Sequence, residues 1–333
     1  MSCPDVRPPS DVAVSVVIPV LNEAASVERL HARLAAVLDG LGRPYEIVLV
    51  DDGSTDDTLD RLRRIQAAQP ALRIIQLNRN YGQHAAVFAG LEHARGQVVV
   101  TLDADLQNPP EEIPRLLAKI AEGHDVVGGW RQARQDPLLR RLLSRAMNRV
   151  TSAVVGVRMH DYGCMLRAYR RDVVDLLRGC RETSSFIPAL ANAFASSAVE
   201  IPVAHERREA GRSRYGLFRL LRLTFDLMTG YSLLPIQAVS LAGIAIALLG
   251  VGFGAFLFLR RLLVGPEVEG VFTLFAILFV FVGLQILALG LIGEYIGRIY
   301  LEVRRRPRYL IQRVFEPASA GPAPAGATPA ERR

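Results

Sequence analysis

Cysteine is scarce in this chain of 333 residues. Cys3, Cys164 and Cys180 are the whole set, and their spacing fits no metal site. They read as reduced thiols of a reducing compartment, which excludes a disulfide scaffold. The opening MSCPDVRPPSD lacks an apolar core segment, so no signal peptide is expected there. Charge is nearly missing from residues 235 to 259 and 271 to 293. A soluble helical hairpin would need a polar face, and these stretches offer none.

What is present is unevenly placed. Mean hydropathy is +0.21, but residues 1 to 230 read as ordinary soluble sequence and the apolar excess sits beyond them. Each apolar stretch is close to the roughly 20 residues that cross a bilayer. The join between them, RRLLVGPEVEG, is too short for a domain. Net charge is +7, and the basic residues gather beside the apolar stretches. That favours an anionic membrane surface over nucleic acid as partner. The cluster RIYLEVRRRPRY after the second stretch predicts a cytoplasmic side for both termini. Arg260 and Arg261 in the join oppose this weakly. The expected plan is a cytoplasmic domain over 1–230, a two-span region over 231–300, and a basic, disordered tail over 301–333. Segments at about 137–155 and 215–230 carry basic and apolar faces, and predict helices that lie in a membrane interface.

Within the first domain, VSVVIPV, EIVLVDD, LRIIQLN and QVVVTLDAD are buried-strand patterns that alternate with helical ones. Short joins between them predict an α/β fold with a mostly parallel, Rossmann-like sheet. Ligands of such sheets sit at the carboxyl ends of the strands. Those ends carry Pro19, Asn22 and Glu23; Asp51 and Asp52; Asn78, Arg79 and Asn80; and Asp103 and Asp105. They are expected to converge on one crevice.

Two loops carry the chemistry. In TLDADLQNPPEEIP, Asp103, Asp105 and Gln107 alternate, so an extended chain would turn all three to one side. Two carboxylates and an amide oxygen are hard donors suited to Mg²⁺ or Mn²⁺. Pro109 and Pro110 then end the strand and open a helix, with Glu111 and Glu112 in its first turn. The other loop, DDGSTDD, is anionic and has one glycine, so it is no phosphate cradle. It suits a nucleoside, with Asp52 accepting from ribose or base.

VSVVIPVLNE, EIVLVDDGSTDDT and TLDADLQNPPEEIP resemble the blocks of family-2 inverting glycosyltransferases of the GT-A fold. RNYGQHAAVFAGLEHA, DYGCMLRAYRRDVV and LIGEYIGRIYLEVRRRPRY are similar to the polyprenyl-phosphate branch of that family. The likeness runs from about residue 12 to 314. It implies a UDP-sugar donor, undecaprenyl phosphate as acceptor, and 4-deoxy-4-formamido-L-arabinose as the sugar moved, in lipid A modification and polymyxin resistance. It implies donor contacts at Pro19, Asn22, Glu23, Asp52 and Asp103, and metal ligation by Asp105 and Gln107. It implies phosphate-handling arginines at Arg131 and Arg167. RREAGRSRY resembles a mobile R-x-x-G-x-S-K-Y loop, which implies Arg208, Ser213 and Tyr215 near the diphosphate. Arg214 stands where that pattern has Lys, and the two cations differ in geometry.

A lipid monophosphate is mostly dianionic near neutral pH, because its second pKa is about 6. It needs little help from a base. Asp161 in HDYG is read as either a base or a phosphate-positioning group, and His84 as a substrate contact at a helix start. Glucosyl, mannosyl or N-acetylglucosaminyl transfer would use the same sites. A processive synthase does not fit, since the one tryptophan, Trp130, lies in GGWRQ rather than in Q-x-x-R-W. The non-enzymatic alternative is a membrane sugar-nucleotide sensor. Homo-oligomerisation is left open.

Overall fold

A computed structural model describes residues 11–131, 159–161, 163–180, 186–206, 234–265, 271–304 and 306–317. The chain divides into two units. One comprises Met1–Asn148, Val155–Ser213 and Pro307–Arg333; the other comprises Arg149–Val154 and Arg214–Arg306.

The first unit is built on one eight-stranded sheet in the order β7-β5-β6-β4-β1-β2-β3-β8. Strands β1 (Val14–Val20), β2 (Tyr45–Asp51), β3 (Leu72–Leu77) and β4 (Val98–Thr101) run parallel in its centre. Their β-branched runs are buried on both faces, as central parallel strands require. Between them lie α1 (Val27–Asp39), α2 (Thr58–Ala68) and α3 (Gln83–His93). This is the mostly parallel α/β sheet predicted from the alternation. A turn of 3₁₀ helix at Pro110–Glu112 leads into α4 (Ile113–Ala121), so the two prolines open a helix as expected.

Beyond α4 the sheet extends in ways the sequence reading did not anticipate. β5 (Val126–Arg131) and β6 (Arg167–Arg170) are antiparallel to each other, and β6 is antiparallel to β4. β5 therefore points the same way as β4, and Trp130 and Arg131 end at the same edge as Asp103. Helices α5 (Arg171–Gly179) and α6 (Ile187–Phe194) follow, then β7 (Ala198–Val203), parallel to β5.

The outer edge of β3 is closed by β8 (Ile311–Phe315), antiparallel to it. This corrects the expected tail from residue 301. Apolar residues at Ile311, Val314 and Phe315 are half-buried and let this short segment pair rather than stay free. Residues 318–333 lie outside the described residues. At the opposite end of the strands from the acidic loops, buried Glu46 accepts from Ser15 Oγ at 2.6 Å and pairs with Arg73 at 3.1 Å. Arg73 also pairs with Glu316, just beyond β8, at 3.0 Å.

The second unit contains α7 (Leu234–Val264) and α8 (Val271–Val303). They hold apolar windows at Ile236–Val264 and Val280–Leu301, long enough to cross a bilayer. Both helices run past the expected ends at 259 and 293. Continuous apolar and helix-forming residues carry α7 through Arg260 and Arg261. The expected interfacial helices at 137–155 and 215–230 lie outside the described residues.

Candidate active site

The four central strand ends are tied to one another by loop hydrogen bonds. Asn22, past β1, has φ +54°, a left-handed conformation that asparagine tolerates. Its N–H donates to Ser54 Oγ at 3.0 Å, and its Oδ1 accepts from the Thr55 N–H at 2.8 Å. Glu23 donates its N–H to Thr58 Oγ1 at 2.9 Å and accepts from Ser26 Oγ at 2.6 Å. Pro19 stays half-buried inside β1.

From β2, buried Asp51 accepts the Ser54 N–H at 3.1 Å. Buried Asp52 accepts the Tyr81 N–H at 2.8 Å and the Gly82 N–H at 2.9 Å. Burial pushes both carboxyls above the ordinary carboxylate value, against the pull of the amides. Between these loops Gly53 has φ +73°, and a Cβ there would lie 2.5 Å from the Arg79 carbonyl carbon. Only glycine lets the β2 loop lie this close to the β3 loop. Gln83, opening α3, then donates its side-chain amide to Asp103 past β4.

The acidic loop itself is not extended. β4 ends at Thr101, and the chain turns with Leu106 at φ +59°. Side-chain exposure still alternates. Leu102, Ala104, Leu106 and Asn108 are buried, whereas Asp103, Asp105 and Gln107 are half-buried. The buried apolar residues hold the polar ones at the open side. Asp105 Oδ1 accepts the Gln107 N–H at 3.1 Å, which fixes the turn. Among the described residues no three His, Cys, Asp or Glu side chains form a metal cluster. Two carboxylates and an amide fit a divalent ion that completes its shell with water and phosphate oxygens, as Mg²⁺ does.

Next to this loop Arg131 Nε donates to Asp161 Oδ2 at 2.6 Å, and Nη2 to Oδ1 at 3.0 Å. Burial works against the guanidinium charge, but Asp161, with Asp103 adding at longer range, holds the Arg131 pKa above its ordinary value. Asp161 is itself buried, and its Oδ1 also accepts the Gly163 N–H at 3.1 Å. With both oxygens engaged, it suits positioning better than proton abstraction.

Arg167 departs from expectation. It is 0% exposed; Nε donates to the Cys164 carbonyl at 2.9 Å and Nη2 to the Asp161 carbonyl at 2.9 Å. An arginine enclosed in this way cannot reach an acceptor phosphate. It braces the turn that carries Asp161, and the expected phosphate contact is corrected. Burial pushes the Cys164 thiol up to about 11, which suits an inert core thiol.

His84 lies edge-on to Phe186, ring centroids 5.4 Å apart, and among the described residues its Nδ1 meets no hydrogen-bond partner. Burial pushes its pKa down to about 4, so the ring is neutral at pH 7.

Asp103, Asp105, Gln107, Asn22, Asp52, Arg131 and Asp161 thus lie on loops and strand ends along one edge of the sheet. Arg208, Ser213 and Tyr215 lie outside the described residues. The sequence reading missed Gln83 and Gly53. For Gly53 a signal existed, since a lone glycine after two strand-end acids marks a left-handed turn.

The family model described as glycosyl transferase family 2 matches residues 15–177. The undecaprenyl-phosphate 4-deoxy-4-formamido-L-arabinose transferase of Edwardsiella ictaluri is 54% identical over 305 residues, covering 90% of this chain and 94% of that protein. The transferase of the same name from Shewanella sediminis is 52% identical over 306 residues, covering 91% and 92%. Among solved structures, glucosyl-3-phosphoglycerate synthase from Mycobacterium tuberculosis, in complex with Mn²⁺, UDP-glucose and phosphoglyceric acid, is similar at a TM-score of 0.45 and 21% identity. That match covers 66% of this chain and 78% of that one, and a likeness so distant says nothing about chemistry.

Proposed function

This chain belongs to glycosyl transferase family 2, and from that membership we propose that it moves 4-deoxy-4-formamido-L-arabinose from its UDP-linked donor onto undecaprenyl phosphate. The observation that supports the reaction class is the set of loop hydrogen bonds that gathers four strand ends beside Asp103, Asp105 and Gln107. The choice of sugar and acceptor, and a place in lipid A modification, follow the relatives.

Asp105 and Gln107 would hold Mg²⁺ or Mn²⁺, with Asp103 turned to the donor. The ion, when bound, supplies positive charge against the diphosphate of the departing UDP. Pro19, Asn22, Glu23 and Asp52 form the nucleoside end. Each Asp52 oxygen keeps a second lone pair for a ribose or uracil donor. Arg208, Ser213 and Tyr215 follow the family loop near the diphosphate. Arg131, clamped by Asp161 on its Nε and Nη2 side, offers its Nη1 side to a phosphate.

The acceptor dianion attacks the anomeric carbon on the face opposite UDP. The new C–O bond forms as the bond to UDP breaks, and its electron pair leaves with UDP. The configuration inverts. No base is required, which agrees with an Asp161 already engaged by Arg131. By the positive-inside rule, the cluster RRRPR at 304–308 supports a reading in which the catalytic unit works at the cytoplasmic face of a bacterial inner membrane, with α7 and α8 as two spans.

The deciding experiment is a donor panel. The full chain in detergent is given undecaprenyl phosphate and several UDP-sugars, and lipid-linked product is measured. Product with the formamido-arabinose donor is expected. Product with UDP-glucose alone overturns the sugar, and an absence of product with any donor returns the sensor reading.

A further inference from the structure

We infer that Glu200 is a positioning residue for Arg131, acting through the His160–Asp161 turn. Glu200 lies within β7, opposite Gly128 of β5, and its side chain is 7% exposed. A buried carboxylate is costly unless donors surround it. Glu200 has three. Oε2 accepts the His160 N–H at 2.5 Å and faces His160 Nδ1 at 3.0 Å, while Oε1 accepts the Asp161 N–H at 3.0 Å.

Asp161 is thereby held at three points. Glu200 takes its N–H, Arg167 donates to its carbonyl, and its carboxylate closes on Arg131. Glu200 reaches this turn from another strand, and it is too enclosed to meet substrate. Its effect on transfer passes through the His160–Asp161 turn. The same oxygen that holds the His160 ring also sets it against Trp130, at 4.9 Å between centroids and 29° between planes. One acid thus fixes both the cation and the aromatic pair at the end of β5. Gly128 leaves room beside them: a Cβ there would lie 3.2 Å from Arg167 Nη1, a tight approach, and 3.6 Å from Glu200 Cγ, an ordinary contact.

The inference rests on Arg131 handling phosphate, as proposed above. It is tested on the full chain in detergent with four proteins: wild type, Glu200→Gln, Arg131→Lys, and the double variant. Arg131→Lys keeps charge but loses the two-pronged grip. Transfer rates, KM for each substrate and thermal unfolding midpoints are measured. Glu200→Gln keeps the shape and removes an acceptor, so kcat should fall roughly 10- to 100-fold, the scale of a displaced catalytic group. In the Arg131→Lys background the same change should cost less than about twofold, the non-additivity expected of residues in one network.

If the two losses multiply, Glu200 acts independently of Arg131 and the inference fails. If Arg131→Lys alone transfers like wild type, the phosphate role of Arg131 fails instead. Wild-type transfer by Glu200→Gln overturns the inference outright. Should Glu200→Gln not fold, Glu200→Asp, one methylene shorter, carries the same comparison.

Discussion

Gln83, the first residue of α3, donates its side-chain amide to a carboxylate oxygen of Asp103. The bond reaches from the start of α3 to the loop just past β4 and sets the orientation of the first acid of that loop. A hydrogen bond to a charged group contributes about 1.5–3 kcal/mol. Gln83→Ala should therefore reduce kcat/KM for the donor roughly 10- to 100-fold, with KM for undecaprenyl phosphate little changed. Steady-state kinetics with each substrate varied in turn checks this.

Asp105→Ala should abolish transfer while the protein still partitions into membranes, since its loop belongs to the sheet unit and the apolar helices to the other. Chelation of the wild type should do the same, and added Mg²⁺ or Mn²⁺ should restore activity. A chelated enzyme that keeps full activity would contradict the metal assignment.

Gly53→Ala should destabilise the catalytic unit. A left-handed backbone costs a non-glycine residue about 1–3 kcal/mol, and here the added methyl also meets main chain at 2.5 Å. Arg79 must move, and it lies beside Asn80 and Tyr81, the segment that Asp52 holds. Chemical denaturation should show the loss, and UDP binding should weaken with it.

His84 gives stability an acid-sensitive component. Its folded pKa is about 4, below the ordinary 6.5. The unfolded chain therefore binds a proton at a higher pH than the folded one does. The contribution is complete above about pH 6.5 and fades as pH falls toward 4, by up to about 3 kcal/mol. His84→Gln should flatten the stability curve over that window, read by denaturant titrations from pH 4 to 7.

The C-terminal edge gives a contrast. Glu316 is about half exposed, so Glu316→Ala should cost less than about 1 kcal/mol. Deleting 311–317 removes β8, the Gln66 bond to the Phe315 carbonyl at 2.8 Å, and the cover over β3. That variant should aggregate, because a bare strand edge is a template for pairing. Light scattering after size-exclusion chromatography separates the two.

The central sheet was legible because β1 to β4 are fully buried runs with short joins. VSVVIPV is β1 residue for residue. The acidic loop was legible for a partly different reason from the one assumed. Its alternation survives without an extended chain, since Leu102, Ala104 and Leu106 pack inward around a left-handed turn. Arg167 could not be placed from sequence. MLRAY sets it between apolar neighbours, and no local pattern says whether an arginine faces a crevice or braces a turn. β8 was hidden by the basic cluster before it, which gave the whole region the look of a solvated tail. Glu200 left no signal at all, since its partners lie about 40 positions away and only the β5–β7 pairing brings it near them.

The strand that seals β3 has a temporal consequence. It is encoded after both long apolar helices, so the ribosome has produced every other element of the sheet before this one exists. Through that interval β3 has an unpaired flank and Arg73 lacks Glu316. Completion of the catalytic sheet therefore waits until both apolar helices have been synthesised. A nascent chain that stalls within the apolar hairpin carries an unfinished sheet rather than a mature transferase.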